Sequence, residues 1–255
     1  MDAVEEFAGI VRGDEPPLDR CALLMAAAAE PDTDVERWMR ALDGLADGVD
    51  SLDALRRRLF VDLGLSGNAA DYTDPRNSLI PHVLGRGLGI PISLAVVMIE
   101  VGRRAGIALD GVGMPGHFLV GVPGTGRYLD VFAGGAELDA AGCEQRWRDL
   151  GGQGAFEPEF LEPVPAAVIL VRMLENLRGS YRSRRRPADL EWVLRMRLAL
   201  PAADLTHLVE LAEALGAQAR WDEGAALLRS APRELPEEHR VALELRAKAL
   251  LAHLN

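Results

Sequence analysis

The sequence predicts an α+β fold that runs on into an all-helical tail. Three observations carry that prediction. The stretch from Pro91 to Ala105 is almost unbroken in its apolar character, short segments divided by Gly and Pro run from Val112 to Phe132, and only helical periodicity remains beyond Pro163. A buried helix against a small antiparallel sheet gives the α+β core. The 255 residues divide on this reading into an N-terminal helical segment over 1–64, a core over 65–160 and a helical region over 161–255.

From Leu18 to about Gly64 apolar residues recur at helical spacing, first at Ala22, Leu23, Ala26 and Ala27, then at Val35, Trp38, Met39, Leu42 and Leu45. Three short helices are expected, with Asp32 or Thr33 capping the second, Ser51 capping the third and Gly64 and Gly67 ending the run. The polar stretch Asp71–Ser78 reads as a loop that delivers side chains to a surface, followed by a helix from about Ser78 to Leu84.

Pro91 opens the central helix, and Ile92, Leu94, Ala95, Val96, Val97, Met98 and Val101 leave it little room for a solvated face. Beyond Gly106, strands are expected at Val112, at His117–Val120 and at Tyr128–Phe132, with Pro123–Gly126 as the hairpin loop. The tail then reads as helices over 168–181, 190–200, 205–215, 223–228 and 237–254. Leu-Ala-Leu-Pro at 198–201 and Arg-Glu-Leu-Pro at 233–236 are 35 residues apart, close to the period of paired-helix repeats.

A formal charge of −11 disfavours broad contact with nucleic acid or anionic membranes. Only Arg178, Arg182 and Arg184 to Arg186 concentrate positive charge, which reads as a solvated turn first and an acidic-partner contact second. Cys21 and Cys143 lack the spacing of a zinc site or a disulfide framework, so neither metal nor cofactor is expected. The acidic start Met1–Glu6 lacks signal-peptide character and no apolar run reaches membrane-spanning length, so the chain is expected in the cytoplasm.

His117 and Asp130 are the residues most suited to chemistry. They lie 13 positions apart on neighbouring predicted strands, where an aspartate can fix the tautomer of a histidine that moves protons. Arg76 offers a planar fork for a carboxylate, while Asn77 and Ser78 suit backbone binding or capping, so Arg76 and Asn77 are candidate ligand contacts. Ser93 is a further candidate, although it sits roughly 200° around the helix from Pro91. Of the two thiols, Cys143 is the better nucleophile candidate because a helix N-terminus lowers a thiol pKa.

Asp74-Pro-Arg-Asn-Ser78, Gly89-Ile-Pro-Ile-Ser-Leu94 and the run from Glu100 to Val120 resemble, in order and spacing, the SirB1 family of transglutaminase-like proteins with a tetratricopeptide-like tail. The resemblance covers nearly the whole chain. It implies a transglutaminase-like core and one or two tetratricopeptide-like helix pairs. In active members of the wider superfamily a cysteine starts the central helix about fifteen residues before a Gly-Ile-Pro turn. Counting back from Gly106 lands on Pro91, so His117 and Asp130 match the remaining triad positions and the nucleophile position holds proline.

The resemblance therefore implies a non-catalytic protein in a regulatory or accessory role, binding a peptide or protein partner. The alternative is a hydrolase or amide-forming acyltransferase that uses His117 and Asp130 without a cysteine. The chain departs from the family pattern at Leu84–Leu88, at Tyr72-Thr73 and at Val131, where proline is common, which weakens any transfer of ligand contacts.

Overall fold

The computed structural model describes residues 2–13, 15–232 and 234–254. Met1 of the acidic start and Arg233 of the second Leu-Pro segment lie outside the described residues. The chain divides into two compact units, residues 1–176 and 177–255, and the division falls within one helix, Ala166–Ser183.

The first unit begins with α1 (Ala3–Ile10), which the sequence reading did not anticipate. Its Asp2 side chain accepts from the Val4 amide, so the acidic start is a helix cap. The expected three helices follow as α2 (Leu18–Ala29), α3 (Val35–Ala46) and α4 (Leu52–Arg57), the last continuing into a π turn over Arg58–Asp62. Ser51 caps α4 as expected, but α3 is capped by Asp34 rather than by Asp32 or Thr33. The correction has a simple geometric cause: Asp34 directly precedes the first helical residue, where its carboxylate reaches the Arg37 amide at 2.9 Å.

A 3-10 turn over Pro75–Asn77 leads into α5 (Ile80–Arg86), and the central helix α6 spans Pro91–Arg104. Residues Pro91 to Met98 of α6 are all buried. The helix packs against α2, α3, α4 and α5 and against the sheet, and only Arg103 on it is exposed. Its C-terminal end carries a charge cluster built on two buried carboxylates. Asp19 accepts from Arg103 and Arg104 at 2.9 and 2.6 Å, while Glu100 accepts from the same two arginines at 2.9 Å. Burial drives the Asp19 carboxyl upward, but the bonds from Arg104 and the Arg20 amide outweigh it and leave Asp19 below its usual range. Glu100 is pushed up, by burial and by the charge of Asp19.

Two short strands, β1 (Ser66–Gly67) and β2 (Leu88–Gly89), pair in parallel beside the start of α6. The main sheet is antiparallel in the order β3 (Asp110–Val112), β4 (Leu119–Val122), β5 (Arg127–Asp130) and β6 (Ala136–Leu138). Val120 opposes Leu129 across the Pro123–Gly126 hairpin, and Asp130 opposes Ala136. Beyond β6, α7 (Ala140–Asp149) places Cys143 and Trp147 in an apolar cluster with Val112, Met114 and Leu119. The unit ends in the first part of α8 (Ala166–Ser183).

The second unit has no strand among its described residues, and α9 (Pro187–Leu198), α10 (Leu205–Gly216), α11 (Trp221–Arg229) and α12 (Glu237–Leu251) each pack on the next. A core of Ala212, Ala225, Leu228, Leu243 and Ala247 joins the last three. Gly224 permits the close approach of α10 and α11, because a Cβ there would stand 2.8 Å from the Ala212 carbonyl oxygen. The arginine cluster is partly neutralised inside this unit: Arg178 bonds Glu210 at 2.5 Å and Arg186 bonds Asp189 at 2.7 Å.

Candidate functional site

The sheet and the turn that feeds it bring His117 and Asp130 together. Asp130 closes β5, and its carboxylate caps the 3-10 turn Val131–Ala133 by accepting from the Phe132 and Ala133 amides at 3.1 and 3.2 Å. His117 precedes β4 in a turn whose amide donates to the Met114 carbonyl at 3.0 Å, with Gly116 at φ +77°. The histidine was expected inside the strand. It sits outside because the turn at Pro115-Gly116 delays ladder pairing until Leu119.

The His117 Nε2 lies 3.0 Å from Asp130 Oδ1, with both side chains buried. A carboxylate only accepts, so Nε2 carries the proton of this bond and Nδ1 faces elsewhere. Burial alone drives the Asp130 carboxyl upward. The bond from His117, the charge of Arg146 and the Ala133 amide outweigh it and hold Asp130 below the usual carboxylate range. Arg146 Nε stands 3.1 Å from Oδ2 but off the line a hydrogen bond requires, so that oxygen is held by charge alone.

An aromatic edge lines this pair. The Phe132 ring meets His117 at 6.4 Å and Tyr72 at 6.0 Å, both edge-on, and Tyr72 is the exposed member. Gly67 is glycine for this reason: a Cβ there would stand 2.4 Å from the Phe132 ring.

The other predicted residues fall into a separate hydrogen-bonded group around the 3-10 turn. Asn77 is wholly buried, donates to the Asp71 and Tyr72 carbonyls and accepts from Asn68 at 3.0 Å. Ser93, at the third position of α6, accepts from the Ile90 amide and donates to the Asn77 carbonyl at 2.5 Å. Its hydroxyl is therefore committed to holding the helix start against the turn. Arg76 is largely exposed and grips Asp74, with NH2 at 2.7 Å, while Asp74 also caps the turn through the Arg76 amide. Pro91 is buried at the first position of α6, where a missing N–H leaves nothing unpaired.

The expectation for Cys143 is corrected. Although it lies near the start of α7, burial pushes its thiol up to about 12, with the charges of Asp139 and Asp130 adding to the shift. Burial likewise pushes Cys21 up to about 12. Neither thiol is poised as a nucleophile at neutral pH.

Two residues escaped the sequence reading. Arg146 belongs to the charged surface of a short helix, and no pattern marks it out. Arg172 did leave a signal, as the sole charged residue in the apolar run Ala166–Leu174. Its NH2 donates to the His117 carbonyl at 2.9 Å and its guanidinium lies 5.2 Å over the Phe118 ring, so it braces the turn that carries the histidine. Among the described residues no group of three metal-binding side chains converges, and no helix is long and apolar enough to cross a membrane.

A family model described as the transglutaminase-like superfamily matches residues 18–175. A UPF0162 protein of Xylella fastidiosa (strain Temecula1) is 42% identical over 182 residues, which are 65% of this chain and 65% of that protein. A UPF0162 protein of Pseudomonas aeruginosa is 31% identical over 190 residues, 70% of each chain. F-box only protein 21 of Mus musculus is 35% identical over 103 residues, 36% of this chain and 16% of that protein. The chain thus spans about two thirds of the length of these bacterial relatives, 65% for the Xylella protein.

Proposed function

The chain belongs to the transglutaminase-like superfamily, alongside the UPF0162 proteins, and on that premise we propose that it is a non-catalytic member that binds a peptide or protein partner in a regulatory or accessory role. One observation carries the reading: proline heads the buried helix at the position where the resemblance to the SirB1 family places the nucleophile. Proline lacks both a nucleophilic atom and an amide proton. An enzyme of this design would lose its attacking group together with an oxyanion donor worth about 3 kcal/mol of transition-state stabilisation. The high thiol pKa values of Cys21 and Cys143 and the internal bonding of Ser93 leave no obvious substitute.

The proposal extends to the helices beyond residue 161, read as tetratricopeptide-like pairs that contribute a docking surface, and to a cytoplasmic location. A second reading has one observation in its favour, the preserved bond between His117 and Asp130. On that reading His117 activates water or an amine, and the chain is a hydrolase or amide-forming acyltransferase.

A reconstruction tests whether the pair is a relic that faces the helix head. In the Pro91→Cys variant the new thiol is expected to react with iodoacetamide about tenfold faster than the same thiol in Pro91→Cys/His117→Ala, the ratio that one unit of thiol pKa gives. Mass mapping of the alkylated peptides separates it from Cys21 and Cys143. Equal rates in the two variants would show that His117 does not serve that position.

A further inference from the structure

We infer that Arg172, with the face of Tyr72, forms a carboxylate-binding site beside the His117–Asp130 pair, suited to a carboxylate carried on an apolar or aromatic residue of a peptide. The inference rests on the reading of the chain as a partner-binding protein and supplies the chemistry of an occupant.

The argument starts from an uncompensated charge. Arg172 is half-buried, and among the described residues no carboxylate comes within ion-pair distance of it. Two other partly buried arginines of the first unit have acidic partners, Arg104 with Asp19, Asp43 and Glu100 and Arg86 with Asp74, whereas Arg58 bonds only the Leu45 and Asp47 carbonyls. Removing a guanidinium from water without a counter-charge is unfavourable, and burial lowers the Arg172 pKa for that reason.

The protein uses only one corner of the group. NH2 donates to the His117 carbonyl at 2.9 Å and to the Met114 carbonyl at 3.4 Å, while among the described residues Nε and NH1 have no acceptor. NH1 rests against Gly113, where a Cβ would stand 2.8 Å away, so the absence of a side chain at 113 is what admits the guanidinium. Oriented N–H donors on a cation stacked over an aromatic ring are ready to donate to an anionic oxygen.

The surroundings select the class of anion. The charge of Arg172 acts on the Tyr72 phenol, and Tyr72 packs edge-on against Phe132, which in turn meets His117. The half-exposed Tyr72 ring gives a ligand apolar surface on the same aromatic edge that meets His117. A carboxylate with an aromatic or aliphatic neighbour satisfies both features, whereas a small hydrated anion satisfies only the charge. The net charge of −11 disfavours polyanions as occupants, because long-range repulsion grows with the charge they carry.

Three probes separate the sources of the carboxylate: N-acetyl-phenylalanine for a peptide C-terminus, N-acetyl-glutamate amide for an acidic side chain, and N-acetyl-phenylalanine amide as the neutral control. Binding is followed on the full chain by the NMR resonance of the Arg172 Nε–H and by titration calorimetry, with inorganic phosphate as a further control. N-acetyl-phenylalanine is expected to shift that resonance, to bind at least tenfold more tightly than its amide and to bind more tightly than N-acetyl-glutamate amide. Phosphate is expected to bind more weakly than N-acetyl-phenylalanine.

Arg172→Gln is expected to erase the preference for acid over amide, and Gly113→Ala to weaken it several-fold while thermal melting confirms a folded chain. If acid and amide bind alike, if neither binds, or if phosphate matches the carboxylates, the site does not exist as described. The wild-type comparison decides the matter even where a variant fails to fold. A negative result here leaves the non-catalytic reading standing, because that reading is tested by covalent chemistry and not by reversible binding.

Discussion

Replacing Asp130 with alanine is expected to lower the stability of the chain by about 3–5 kcal/mol, the range for deleting one partner of a buried charged pair. The carboxylate has more dependants than the histidine alone. It accepts from His117 Nε2 at 3.0 Å and from the Phe132 and Ala133 amides, and it stands beside Arg146. Alanine leaves the imidazole and the two amides without their acceptor and Arg146 without its counter-charge, at a carboxylate that is itself 0% exposed. Urea unfolding monitored by circular dichroism measures the loss. A change below about 1 kcal/mol, the size of one ordinary hydrogen bond, would mean that the site is far more hydrated than its geometry implies.

The same residue sets a pH dependence whose sign follows from its pKa. Asp130 is held below the usual range in the folded chain, so the folded state favours its ionised form. Its contribution is fully present above the unfolded value near 3.9 and is lost as pH falls through the lower folded value. The stability difference between wild type and Asp130→Asn is therefore expected to be largest at neutral pH and to shrink in acid.

The second large effect is expected at Asn77. Asn77→Ala should cost about 3 kcal/mol, because each buried polar group left without a partner costs roughly 1–3 kcal/mol and several are stranded at once. The carboxamide donates to the Asp71 and Tyr72 carbonyls and accepts from Asn68, whose own side chain is buried. These bonds shape the loop that carries Tyr72, so the substitution should also speed amide exchange across 71–78. Hydrogen exchange measured by mass spectrometry reads both results. Unchanged exchange with unchanged stability would show that Asn77 is not the organiser of this loop.

Much of this architecture is legible in the chain because its signals are local. The apolar run from Pro91 fixes α6, and the Gly and Pro punctuation fixes the hairpin between β4 and β5. Legibility fails where tertiary contacts decide. The three residues of β6 carry no alternating pattern and become a strand by pairing with β5. Cys143 has the sequence position of an activated thiol, but the Trp147 cluster buries it and the desolvation outweighs the helix end. Asn77 and Ser93 have the residue types of ligand contacts, and only the fold shows that the Ser93 hydroxyl donates to the Asn77 carbonyl while the Asn77 carboxamide donates to the Asp71 and Tyr72 carbonyls.

The site was legible in part for the same reason. His117 and Asp130 are linked by a hairpin, so their proximity follows from short-range topology. Arg146 and Arg172 reach the pair from helices that come later in the chain, and spacing carries no information about such contacts. The lone arginine in an apolar run was a usable warning that a buried charge needs an account.

The central claim is that the site around His117 and Asp130 holds no residue able to form a covalent acyl intermediate. It is tested most directly by intact-mass spectrometry of the native chain after exposure to p-nitrophenyl acetate and to a peptide thioester, alongside the His117→Ala variant. The account predicts no acyl mass on the wild type beyond the level found on the variant. An adduct on any side chain that forms in the wild type and disappears with His117 would contradict it.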